Sequence, residues 1–325
     1  MAQNILVTGG AGFIGSHLCE MLLQQKNQVI ALDNLSTGRL ENIAHLRQQR
    51  NFHFVRETVE NTQVLDRLAS EANLIIHLAA AVGVKLIIED PVHTIRTNVN
   101  GTEAVLAAAN RYGCKVLLAS TSEVYGKGIQ VPFREEDDSL VGPTMNSRWA
   151  YAASKAIDEF LGLAYYRQYG LPVIVMRFFN TIGPRQTGQY GMVVPRFVRQ
   201  ALRGVPLEVY GDGKQSRCFA DVADVVEAVI RLAEHPGAVG QVFNVGSAEE
   251  VMIFELAERI IRLAGSQSTI QSIPYDQAYA PGFEDMRRRV PSLEKITALI
   301  DYHPRFSLEA TLQRVIAYER SRMES

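Results

Sequence analysis

The sequence predicts an α/β protein, a doubly wound parallel sheet with a smaller, mostly C-terminal lobe beside it. Three observations carry this. Short β-branched runs alternate with segments of helical period, a glycine cluster joins the first run to the first helix, and after Asn180 the alternation gives way to segments rich in Gly, Gln and Arg. Residues 5–7 read as the first strand and 14–24 as the first helix. Runs at 28–32, 74–78, 116–120 and 172–177 read as further buried strands. Residues 97–111 and 150–169 read as long helices between and after them. A late strand is expected at 242–245, with helices at 254–264 and 308–320. The expected division is 1–179 for the sheet domain, with about 215–246 returning to it, and the rest of 180–325 for the substrate-binding lobe. A ligand belongs in the cleft between them, at the carboxyl ends of the strands.

Composition narrows the function classes. Of 325 residues, 47% are hydrophobic and 21% charged, which suits a globular chain with a large core. A net charge of −2 offers no field for nucleic acid or a membrane surface, so neither partner is expected. Cys19, Cys114 and Cys218 are too few and too scattered for a disulfide framework or a zinc site. No metal is expected. No apolar run is long enough to span a bilayer and no leader pattern precedes Asn4, so a cytoplasmic location is expected.

The glycine cluster reads Thr8-Gly9-Gly10-Ala11-Gly12-Phe13-Ile14-Gly15. Gly9 allows the tight turn, Gly12 lets backbone approach a pyrophosphate, and Gly15 allows close helix packing. Asp33, at the end of the second strand, accepts from adenosine ribose hydroxyls and repels a 2′-phosphate, which favours NAD over NADP. Together these are the signature of a Rossmann sheet. Tyr151 and Lys155 lie four apart, on one face of a predicted helix. A phenol with a reference pKa of ~10 needs a nearby cation to act as a base at neutral pH, and Lys155 and a nicotinamide ring would supply charge. Ser120, Thr121, Ser122 and Glu123 end a buried strand and bring hydroxyls and one carboxylate to the mouth of the site. His77 reads as structural and Trp149 as lining or packing. The acidic run Glu135-Glu136-Asp137-Asp138 reads as a solvated loop face.

These residues carry a resemblance to a family. Gly9, Gly12, Gly15, Asp33-Asn34, His77-Leu78-Ala79-Ala80, Asn98 with Gly101-Thr102, residues 120–126, Tyr151 and Lys155 belong to its pattern. So do Arg177-Phe178-Phe179-Asn180, Gly183-Pro184-Arg185, residues 210–217 and Arg289. The chain resembles an extended short-chain dehydrogenase/reductase of the nucleotide-sugar epimerase, dehydratase and decarboxylase group. The resemblance implies that Phe13, Ile14, Asn34, Ser36, Thr37, Gly38, Thr58, Val59, Leu78, Ala79, Ala80 and Asn98 join the glycines, Asp33, Tyr151 and Lys155 around NAD. It implies that Thr121 bonds the reacting oxygen, that Ser122 and Glu123 take part in catalysis, and that Lys155 holds the nicotinamide ribose. The substrate is then a nucleotide sugar, most simply UDP-linked. The expected contacts are Lys85, Thr121, Glu123, Asn180, Arg185, Val194, Tyr210, Arg217 and Arg289. The two long helices would pair with their symmetry mates in a homodimer. Two departures stand out: Thr58 replaces a usual adenine-binding Asp, and Ile87 stands where the decarboxylases carry Tyr.

Members of this family begin by removing hydride from C4 of the sugar. A 4,6-dehydratase then needs an acid at C6, and Thr121-Ser122-Glu123 lacks the Asp that supplies it in thymidine-diphosphate sugar dehydratases. A 4-keto-uronate is a β-keto acid and loses carbon dioxide without one, leaving Glu123 to aid protonation at C5. The expected order is UDP-glucuronate decarboxylase first, UDP-sugar 4-epimerase second and 4,6-dehydratase third. A non-enzymatic NAD-binding scaffold would be expected to lose Tyr151 or Lys155, and the chain keeps both.

Overall fold

The computed structural model describes residues 2–83, 90–188, 192–278 and 286–324. Lys85 and Ile87 lie outside the described residues. The central sheet uses β1 (Asn4–Thr8), β2 (Gln28–Leu32), β3 (Phe52–Val55), β4 (Leu74–His77), β5 (Lys115–Thr121), β6 (Val173–Phe178) and, much later, β11 (Val242–Val245). Their order is β11-β6-β5-β4-β1-β2-β3 and every neighbouring pair is parallel. From β1 the chain winds outward through β2 and β3, then returns to β4 on the other side. That reversal between β1 and β4 opens a crevice at the carboxyl ends, where Thr8 pairs with His77.

Both faces of the sheet are covered, so its strands read as unbroken apolar runs. On one face, Ile5, Val7, Ile76 and Phe243 pack under α1 (Phe13–Gln24) and the later helix Val222–Glu234. On the other, Leu6, Ile75, Val116 and Val175 pack under α2 (Thr62–Ser70) and α3 (Pro91–Tyr112). The helix α4 (Ala150–Tyr169) lies beside α3 on this face. α3 starts six residues before the expected 97. Its start is written in the sequence as Asp90-Pro91: the Asp90 carboxylate accepts from the His93 amide at 3.1 Å, and proline occupies the first turn.

The lobe has its own core. Helices Val193–Leu202, Ile253–Ala264 and Leu308–Glu324 bury Val194, Phe197, Leu256, Ile260, Leu312 and Ile316 together. Short pairings border the crevice: β7 (Thr181–Ile182) with β10 (Ala220–Asp221), β8 (Leu207–Tyr210) with β13 (Ile270–Ile273), and a small sheet ordered β12 (Glu250–Met252), β9 (Ser216–Cys218), β14 (Arg288–Arg289). In that small sheet Arg217 and Arg289 are direct register partners on neighbouring strands. Residues far apart in sequence thus enter the crevice side by side.

Candidate active site

A cavity of about 580 Å³ runs along the crevice from the glycine turn to the lobe. Gly9 sits at φ +70°, and a Cβ there would meet the Ala79 amide nitrogen at 2.9 Å. A Cβ on Gly15 would strike the Gly9 carbonyl. Helix α1 therefore begins directly beneath the cavity floor, its first amides aimed where a phosphate would sit. Asp33 closes the far end of this floor. Its Oδ2 accepts from the Ala11 amide at 3.0 Å and its Oδ1 from the Leu35 amide at 2.7 Å. A carboxylate has about four acceptor sites and three backbone amides use them here, so the side facing the cavity can still take a ribose hydroxyl. Burial pushes the Asp33 pKa up, against the backbone amides of Leu35, Ala11 and Gly12. Glycine turn, helix start and Asp33 together fit a dinucleotide, and bound NAD would supply a hydride acceptor beside Tyr151.

The chemistry-bearing side chains sit at the end of β5 and on α4. Thr121 ends β5, and its Oγ1 accepts from the Glu123 amide at 3.2 Å, turning the chain into a short 3₁₀ segment, Ser122–Tyr125. Tyr151 is 7% exposed and its phenol hydrogen-bonds Thr121. Burial raises the phenol pKa first, and Glu123 and Asp158 raise it further, against Thr121 and Arg148. The expected lowering by Lys155 is therefore not produced by the chain alone. The Lys155 ammonium is committed to Asp158, with Nζ 2.6 Å from Oδ2.

Glu123 has the most charged surroundings in the site. Its Oε2 lies 2.5 Å from the Arg148 guanidinium and its Oε1 lies 2.9 Å from that of Arg289. Burial alone would push its pKa up. Arg289 and Arg148, then Arg217, overcome this and hold it at about 2. Arg217 is itself steadied by the Ser216 and Met286 carbonyls, each at 2.8 Å. A carboxylate held so low is almost wholly ionised at neutral pH. An ionised Glu123 can aid protonation at C5 by ordering a water there.

Residues 5–246 match the model of the NAD dependent epimerase/dehydratase family. The chain belongs to this family. It is accordingly an NAD-dependent enzyme with a Rossmann fold. Over 98% of both chains it is 41% identical to a UDP-N-acetyl-alpha-D-glucosaminuronate decarboxylase of Bacillus cytotoxicus. It is 38% identical to UDP-glucuronic acid decarboxylase 1 of Arabidopsis thaliana, over 98% of this chain and 70% of that one. Among solved structures, UDP-glucuronic acid 4-epimerase from Bacillus cereus, in complex with UDP-glucuronic acid and NAD, superposes with a TM-score of 0.89. The two are 28% identical over 98% of this chain and 99% of that one.

Within this family member the cavity gathers most of the residues picked from sequence. Gly9, Gly12, Phe13, Ile14, Gly15, Asp33, Asn34, Ser36, Thr37, Thr58, Val59, Leu78, Ala79 and Ala80 all line it. So do Thr121, Ser122, Glu123, Tyr151, Lys155, Asn180, Val194, Tyr210, Arg217 and Arg289. Three others do not. The Arg185 guanidinium pairs with Glu20 on α1 at 2.8 Å. The Asn98 side chain accepts from the Ala81 amide at 2.8 Å and donates to Ser154 at 3.1 Å, so it braces the cavity wall from behind. Gly38 makes room for the Asp33 carboxylate, which a Cβ there would meet at 2.7 Å. The acidic loop needs a correction too. Glu135 is half-buried, and its carboxylate accepts from the Asn244 amide at 2.8 Å, tying the loop to β11.

Arg148 is the site residue that the motif reading passed over. It is 3% exposed and lies three positions before Tyr151, in a turn capped by the Asn146 side chain. The signal was there in outline: an arginine set just ahead of the helix that carries Tyr151 and Lys155.

Proposed function

We propose that this enzyme decarboxylates a UDP-linked hexuronate by oxidising it transiently at C4. The observation that supports this reading is the buried group of Arg148, Arg217 and Arg289 around Glu123, next to Tyr151. Three guanidiniums converge on one buried carboxylate in the cavity wall. Such a cluster suits a substrate that brings anions of its own, the diphosphate and a sugar carboxylate. It also suits the enolate left when carbon dioxide departs.

In this reading Tyr151 takes the proton from the C4 hydroxyl, and NAD, held by the glycine turn and Asp33, would supply the hydride acceptor for that carbon and give the hydride back at the end. Thr121 holds the same oxygen. The 4-keto-uronate then breaks its C5–C6 bond, the electron pair passing into the C5–C4 enolate. A water molecule held by the arginines gives a proton to C5, the hydroxide left behind takes one from solvent, and Tyr151 returns its proton to the C4 oxygen. Glu123 keeps Arg148 and Arg289 in place and stays ionised throughout.

The decisive experiment offers UDP-glucuronate, and in parallel its 2-acetamido form, to the purified enzyme in deuterated water. The expected products are carbon dioxide and a UDP-pentose carrying one deuterium at C5. Recovery of the C4 epimer, with no carbon dioxide and no deuterium, would replace this reading with the 4-epimerase. No helix among the described residues is long and apolar enough to cross a membrane. That and the three buried free cysteines support a reduced, cytoplasmic setting.

The same reading includes a homodimer. Val92 and Ile95 on α3 are exposed, as are Ile157 and Phe160 on the adjacent α4, and Phe160 leaves 74% of its surface in solvent. An apolar face of this kind on two neighbouring helices supports pairing with a second copy. Phe160→Glu is expected to turn a dimer into a monomer in light scattering at micromolar concentration, with NAD affinity kept. A wild-type enzyme that is already monomeric under those conditions would end the proposal.

A further inference from the structure

A continuous polar chain crosses the core from the glycine turn to the catalytic helix. Thr8 ends β1, one residue before Gly9. Its Oγ1 accepts from the Ala79 amide at 3.2 Å and lies 2.7 Å from Nδ1 of His77. The other ring nitrogen of His77 is 3.2 Å from Oγ1 of Thr102, on α3. The Thr102 hydroxyl also faces the Asp158 carboxylate and lowers its pKa, and Asp158 receives Lys155. None of the five is more than 3% exposed.

The two ends of this chain fix its direction. A carboxylate only accepts, so the Thr102 hydroxyl donates to Asp158 and must itself accept from Nε2–H of His77. Nδ1 of His77 is then bare and accepts the Thr8 hydroxyl. Burial, followed by the charge of Lys155, lowers the His77 pKa to about 3, so the ring stays neutral and keeps this tautomer. Every proton in the relay points one way, from β1 toward Asp158.

A buried Lys–Asp pair is a poor source of stability, because desolvating both ions offsets most of their attraction. Oδ1 of Asp158 is buried with no hydrogen-bond partner among the described residues, which adds to that cost. Burial pushes the Asp158 pKa up, while Lys155 and Thr102 pull it down. The pair is better explained by the site than by the core.

We propose that Asp158 is a positioning residue: anchored through Thr102 and His77 to the strand that opens the glycine turn, it holds Lys155 in place, and its charge opposes loss of the Tyr151 proton. This rests on Tyr151 being the base and Lys155 a cofactor contact, so the test uses neither a sugar nor turnover. The groups that set the Tyr151 proton are Thr121 at the end of β5, Glu123 just beyond it, Arg148 ahead of α4, and Asp158 on α4 itself. Those that face Asp158 are Lys155 and Glu159 on α4 and Thr102 on α3, with His77 of β4 behind Thr102.

Two isosteric variants of the full-length enzyme separate charge from anchorage. Asp158→Asn keeps an acceptor for Lys155 and removes the charge. In tyrosine labelled with ¹³C at Cζ, the resonance assigned by Tyr151→Phe should titrate about one pH unit lower in Asp158→Asn than in wild type. Thr102→Val keeps the charge and removes the anchor. It should leave the Tyr151 midpoint in place and weaken NAD binding about fivefold by calorimetry. A folded Asp158→Asn with an unshifted Tyr151 overturns the proposal, and so does Thr102→Val with wild-type NAD affinity. If Asp158→Asn does not fold, Thr102→Val decides alone.

Discussion

Tyr151→Phe is expected to lower turnover of UDP-glucuronate by about 10²–10⁴-fold while leaving NAD affinity within about twofold of wild type. The phenol is 7% exposed on the catalytic face of α4, and phenylalanine fills the same space. What disappears is one hydroxyl, its bond to Thr121 and the proposed acceptor of the C4 hydroxyl proton. The raised phenol pKa in the chain alone has a signed consequence. Burial, Glu123 and Asp158 hold the proton on, so the base becomes competent only when a further positive charge arrives next to it. NAD should therefore lower the Tyr151 titration midpoint, and the ascending limb of the pH–rate profile should lie below the midpoint of the cofactor-free enzyme. The first is read from the labelled-tyrosine titration with and without NAD, the second from initial rates measured across pH. Near-normal turnover by a folded Tyr151→Phe would remove Tyr151 from the chemistry.

The parts of this molecule that were legible in the sequence are those governed by local rules. Residues 5–15 spell a strand, a turn that only glycine allows and a helix start. Asp33 follows at the end of the next strand, so the cofactor end could be read almost residue by residue. The Tyr151–Lys155 spacing was equally plain, because one helix carries both. Pairings between distant segments were not legible. Arg217 and Arg289 are 72 positions apart and become neighbours only because β14 joins β9, a register that no local pattern announces. Arg185 looked like a substrate contact because of its motif, yet its direction is set by Glu20 on α1, which sequence spacing does not reveal. The same blindness hid the environment of Glu123. Its chemistry was inferred from its place beside Ser122, whereas its protonation state is fixed by arginines from two other segments.

Glu123→Gln separates the two roles that a carboxylate here can have, and it is expected to destabilise the enzyme by about 3 kcal/mol. Glutamine keeps the shape but leaves Arg148 and Arg289 buried against a neutral amide where each had a carboxylate oxygen. The pH dependence follows from the depressed pKa. Glu123 titrates at about 2 in the folded chain against an ordinary 4.5, so its stabilising contribution is complete above about pH 4.5 and is lost as the pH falls through 2. The difference in urea stability between wild type and Glu123→Gln should therefore stay constant from neutral pH down to about 5 and shrink below 4.5. Removing one guanidinium as well, in Glu123→Gln with Arg148→Met, should recover more than half of the loss, since one of the two guanidiniums that lost the carboxylate is gone. Catalytically, Glu123→Gln should bind substrate poorly and turn over slowly without building up reduced cofactor, because the arginine cluster is disordered before any hydride moves. An acid at C5 would behave differently: the variant would fold with near-normal stability, remove the C4 hydride at the usual rate and stall with reduced cofactor absorbing at ~340 nm. A stable Glu123→Gln that accumulates reduced cofactor would return Glu123 to the role of proton donor and show that its salt bridges open during the reaction.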